Sequence, residues 1–88
     1  MRGVVRVRAA VGYRSAMATL TTAQYDALER AIADGRRIEV RRRGAYDLVV
    51  VPQALRLVAG RERIDAVHPT TGDRLDLWVD ELVGIEVV

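Results

Sequence analysis

Apolar residues recur at a spacing of three to four over one stretch of the chain, and at a spacing of two over most of the remainder. Tyr25, Leu28 and Ile32, with Ala27 and Ala31 beside them, make the first pattern, a single stripe along a helix. A start signal precedes it. Thr21-Thr22-Ala23-Gln24 has the capping-box spacing, in which the Thr21 hydroxyl accepts from the Gln24 amide while the Gln24 side chain reaches back. Leu20 and Tyr25 flank the cap as a hydrophobic staple, and Gly35 is placed to end the helix in a left-handed conformation. The pattern predicts a helix over 22–34.

Past Gly35 the period becomes two. Ile38 and Val40 alternate with Glu39 and Arg41 before a turn at Arg43-Gly44. Tyr46, Leu48 and Val50 continue on one face while Val49 and Val51 fill the other, which predicts a strand buried on both sides. Pro52 marks a bend or a free edge, and Leu55 and Leu57 come next before a turn at Gly60. Ile64 and Ala66 alternate with Arg63 and Asp65 up to His68-Pro69, and Thr70-Thr71-Gly72-Asp73 reads as a hairpin connection. Leu75, Leu77 and Val79 then alternate with Arg74, Asp76 and Trp78. Asp80-Glu81-Leu82 reads as one helical turn capped by Asp80, and Ile85 and Val87 form the last strand.

One helix and five or six short strands leave few solutions. An open sheet of this size exposes its edges, whereas a small barrel with the helix plugging one end or lying on one side covers them. The expected fold is α+β, mostly β: a short N-terminal helix followed by a five-stranded SH3/Sm-like β-barrel. It forms one domain over 20–88. Residues 1–19 carry Arg2, Arg6, Arg8 and Arg14 with no acid, and read as a basic leader, disordered or preceding a later start at Met17. Arg6 and Arg8 break the apolar stretch that a secretory signal needs.

Composition narrows the chemistry. The 88 residues hold no cysteine, which excludes disulfides and thiolate metal sites, and no apolar run approaches the ~18 residues of a membrane span. A cytoplasmic location is expected. All 14 basic residues are arginine, a usage that a GC-rich bacterial genome explains without function. The net charge of +2 conceals a dipole: 1–45 hold ten arginines against four acids, and 46–88 hold four against eight. That distribution suits partner association as well as nucleic acid.

From Ala31 onward the pattern resembles the WYL domain, an Sm-like barrel of bacterial regulators. The matching landmarks are Ala31-Ile32-Ala33-Asp34-Gly35-Arg36-Arg37-Ile38-Glu39-Val40, then Val51-Pro52-Gln53-Ala54-Leu55 and Gly60-Arg61. Thr71-Gly72-Asp73-Arg74 comes after these, then Leu77-Trp78-Val79-Asp80-Glu81-Leu82 leading into Ile85-Glu86-Val87. The resemblance implies that the Leu55 segment is the far half of one long bent strand, giving five strands. It also places the family's Trp-Tyr-Leu trio at Glu62, Arg63 and Ile64, its first-strand tyrosine at Arg42, and the two arginines of its closing motif at Trp78 and Glu81. Most of the ligand-site residues are therefore replaced. WYL domains are thought to bind nucleotide or nucleic-acid effectors behind a helix-turn-helix reader, for which the about twenty residues ahead of the helix are too few.

The residues offer little for catalysis. His68 is the single histidine and precedes Pro69, as a turn residue does, and no nucleophile–base pair, phosphate loop or metal-ligand spacing is present. The chain is expected not to be an enzyme and to need no cofactor. Two binding surfaces remain. Trp78 faces outward with Arg74 and Asp76, and its ring is covered either by a partner or by the helix through Tyr25 or Leu28. Trp78, Arg74 and Tyr25 are the candidate interaction residues of a small non-enzymatic module that binds a protein partner or itself. The alternative is a nucleic-acid or nucleotide-binding regulatory domain using Arg36, Arg37, Arg41, Arg42 and Arg43, with Tyr46 stacking a base.

Overall fold

The structure, a computed structural model, describes residues 20–88, and the readings of residues 1–19 lie outside the described residues. The capping box forms as its spacing dictates: the Gln24 amide donates to Thr21 Oγ1 at 3.1 Å and the Thr21 amide to Gln24 Oε1 at 2.8 Å. Helix α1 spans Thr22–Asp34. Gly35 ends it at φ 68°, and the Gly35 and Arg36 amides converge on the Ala31 carbonyl. Tyr25, Leu28 and Ala31 form the buried stripe, and Leu20, the staple residue ahead of the cap, is buried in the same core.

Five strands come after the helix: β1 (Ile38–Arg42), β2 (Leu48–Val58), β3 (Arg61–Val67), β4 (Arg74–Trp78) and β5 (Leu82–Val87). They make one antiparallel sheet in the order β4-β3-β2-β1-β5. β2 is the single long strand that the resemblance implied. Its register shifts between Pro52 and Ala54, so Gln53 is an extra residue. Up to Pro52 the even positions Val50 and Pro52 face the core; beyond the bulge Leu55 does. A bulge bends its strand, and it accommodates a proline that has no amide to donate.

Helix α1 lies on the inner face of this sheet, packed against β2 and β5. Ile38, Val40, Val50, Ile64, Leu77, Leu82 and Ile85 close the core around it, with Leu75 partly buried at its margin. Among the described residues no helix is long and apolar enough to cross a membrane.

Four expectations need correction. The sheet does not close: it ends at β4 and β5, and no ladder joins those edges among the described residues. The turn Val79–Glu81 redirects the chain after β4, and β5 pairs with β1 instead. β2 begins at Leu48, so Tyr46 stands in the preceding loop, 91% exposed. β2 is not buried on both sides, because Val49 is exposed on the outer face. Val79 leaves β4 for the turn, whose N-cap is Trp78 with no side-chain bond; the Asp80 carboxylate is engaged elsewhere.

Candidate functional site

The period of two leaves β2, β3 and β4 with an outer face that α1 does not cover. Arg61, Arg63 and Asp65 of β3 stand on it, opposed by Arg56 on β2 and by Trp78 and Asp76 on β4. Arg63 lies directly across from Trp78, and Asp65 from Asp76.

Two ion-pair centres organise this face. Arg61 forks onto Asp80, Nε to Oδ2 at 2.8 Å and Nη2 to Oδ1 at 2.8 Å, with Glu81 Oε2 at 3.8 Å. The same guanidinium lies 4.1 Å from the Trp78 ring centroid, and that of Arg63 lies at 6.0 Å. A planar fork that binds a carboxylate in its plane can stack on an aromatic face at the same time. The hydrogen bond from Arg61 holds the Asp80 carboxyl below the ordinary carboxylate range, and the Arg61 guanidinium is raised in return.

Asp65 is the second centre, and it is buried. It accepts from Arg63 Nε at 2.9 Å and from Arg56 Nε. Burial pushes its carboxyl up, but the hydrogen bonds from Arg56 and then Arg63 outweigh that, and the net shift is downward. Arg56, Asp65 and Arg74 border a shallow cavity of about 300 Å³ beside the β2 bulge.

The candidate residues do not all converge here. Trp78 is half-buried and Arg74 exposed, both on the outer face of β4. Tyr25 is not with them. It is 1% exposed in the core, and its hydroxyl donates to Glu62 Oε1 at 2.6 Å. Neither Tyr25 nor Leu28 covers Trp78, because α1 packs on the opposite face; Arg61 does. Glu62, at the first position of the resembled trio, is thus an inward acid holding the helix to β3.

Three arginines of the alternative surface, Arg41 to Arg43, serve separate local ends. Arg36 and Arg37 precede β1, and Arg41 to Arg43 lie at its far end, about 13 to 23 Å away at ~3.3 Å per residue. Arg41 Nη2 lies 3.6 Å from Glu86. Arg42 closes its own loop by donating to the Tyr46 carbonyl at 3.0 and 3.3 Å. Arg43 donates to the Asp80 carbonyl at 3.4 Å, and its amide to the Glu81 carbonyl at 2.9 Å.

His68 is a turn residue, its Nδ1 accepting from the Thr70 and Thr71 amides at 3.1 and 3.3 Å. Among the described residues no group of three His, Cys, Asp or Glu is placed to hold a metal ion. Arg61, Asp80, Asp65 and Glu62 were not among the candidate site residues. The alternation of Arg61, Arg63 and Asp65 was a visible signal of a charged outer face, but their partners come from β2, β4 and the turn, which only the register identifies.

No family model and no curated protein matches the chain. Among solved structures, the fold is similar to part of Proteasome accessory factor B/C (PafBC) of Arthrobacter aurescens, with a TM-score of 0.64 and 18% sequence identity. The similarity covers 72% of this chain and 11% of that one. At that identity the likeness is one of fold.

Proposed function

We propose that this chain is a non-enzymatic interaction module on a WYL-like fold of the SH3/Sm type, binding a protein partner or a second copy of itself through the outer face of β3 and β4. The strand order, the bent β2 and the likeness to PafBC, which contains a WYL domain, support the family reading. The single observation that carries the functional reading is the position of Trp78. It stands on the sheet face that the helix leaves open, covered by Arg61 rather than by the core. Aromatic rings flanked by arginine are characteristic anchors of protein interfaces.

Size-exclusion chromatography with light scattering tests it, with and without a short RNA or DNA. The expected result is self-association, or capture of an added partner, that ignores nucleic acid and is lost in Trp78→Ala. The exposed ring of Tyr46 beside Arg42 favours a second reading, nucleic-acid binding. It requires a monomer that shifts on adding nucleic acid and stops shifting when Arg41, Arg42 and Arg43 become Ala. It also requires a steep loss of affinity with salt, because phosphate contacts release counterions.

A further inference from the structure

We infer that the free edge of β4 takes up an extended, antiparallel segment of a protein partner that carries an aromatic, a basic and an acidic residue at alternate positions. This rests on the reading of the Trp78 face as an interaction surface, and adds to it the partner's conformation and charge pattern.

The first support is topological. β4 ends the sheet, so its backbone pairs with β3 on one side and with no strand on the other among the described residues. Such an edge is a template for strand addition, in which main-chain hydrogen bonds supply affinity and alternate side chains supply specificity. Every pairing in this sheet is antiparallel, the slightly more stable arrangement.

The second support is the charge order along the edge. Arg74, Asp76 and Trp78 share the outer face of β4 at alternate positions. Arg74 is exposed, makes no ion pair among the described residues, and borders the cavity of about 300 Å³ with Arg56. The one acid of that cavity, Asp65, is already engaged by Arg56 and Arg63. A carboxylate on a Glu-length side chain entering there meets uncompensated positive charge. Asp76 is exposed and makes no ion pair among the described residues, so a cation opposite it on the added strand forms a favourable cross-strand pair. Opposite Trp78 an aromatic residue pairs well across strands. The intervening partner residues fall beside Leu75 and Leu77 and are therefore apolar.

Antiparallel to β4, the partner segment reads aromatic, apolar, basic, apolar, acidic from its N-terminus. The test probes are two blocked pentapeptides, Tyr-Val-Lys-Val-Glu and Tyr-Val-Lys-Val-Lys, titrated into the ¹⁵N-labelled full chain. The expected result is amide shifts concentrated over residues 74–78, with the Glu-ended peptide binding about two- to five-fold more tightly. Arg74→Glu, a change at an exposed side chain, should reverse that preference. Equal binding of both peptides, shifts away from β4, or no reversal in Arg74→Glu overturns the inference. If neither peptide binds while Trp78→Ala still abolishes association, the inference falls and the interaction reading stands. If Trp78→Ala leaves association intact, the interaction reading falls with it.

Discussion

Arg36, Arg37 and Arg41 to Arg43 stand close in sequence and divide in space, whereas Arg56, Arg61 and Arg63 come from two strands and meet on one face. The first set lies at the two ends of β1, where Arg41 to Arg43 each serve a nearby backbone group or a single exposed acid. The second set is drawn together by Asp65, Asp80 and the ring of Trp78. A run of like charges along a strand is held apart by the rise of the chain itself. Alternating charges on neighbouring strands are brought to within about 5 Å by the ladder. Charge density in sequence therefore says less about a shared site here than parity and register do.

Asp65 is the sharpest place to break this comparison. Asp65→Ala leaves Arg56 and Arg63 without their shared acceptor. Removing one partner of a buried pair is costly, but both guanidiniums can turn toward water, so the loss should be about 1–3 kcal/mol in urea denaturation. An unchanged midpoint would mean that the second arginine set is held together by something other than this carboxylate. Tyr25→Phe tests the inner face in the same way. It deletes the hydroxyl that donates to buried Glu62, and should cost about 1–2 kcal/mol.

Acid titration of stability probes the second set. Asp65 and Asp80 both have carboxyls held below their ordinary values in the folded protein. A depressed carboxyl contributes stability that is fully present above its unfolded pKa of about 4 and disappears as pH falls through the lower folded value. Stability should therefore decline below about pH 4, and the decline should flatten in Asp65→Asn. An identical acid limb in that variant would contradict the assignment.

Smaller effects sharpen the picture further. Trp78 is the single tryptophan of the chain, so its fluorescence reports the Arg61 stack without interference. Arg61→Ala should shift its emission to the red and raise its quenching by iodide; an unchanged spectrum would show that Arg61 does not cover the ring in solution. Arg41→Ala should be the least consequential, changing stability by no more than about 0.5 kcal/mol, since its contact with Glu86 is exposed. A larger loss would show that the first arginine set is also structural.

The elements with local causes were the legible ones. The Thr21 to Gln24 cap, the Tyr25 and Leu28 stripe and the Gly35 stop rest on interactions within a few residues, and α1 runs as the spacing predicts. Alternation marked the strands through Ile38, Val40, Ile64 and Leu77. It failed at β2, where Val49 and Val51 read as a second buried face although the helix covers one side only. For the candidate interaction residues only placement was legible: the outward orientation of Trp78 and Arg74 followed from parity, while Tyr25, assigned to the same surface, belongs to the core.

Outside β2, residue pattern alone determined which side of each element meets the core, because side-chain direction repeats with a period set by the backbone. Tertiary structure decided what lies on the outer face: that Arg61 rather than the helix covers Trp78, that Asp65 collects two arginines, and that among the described residues β4 and β5 remain edges. Those outcomes depend on strand order, the bulge at Gln53 and the turn at Val79–Glu81, which bring together residues that no local spacing relates.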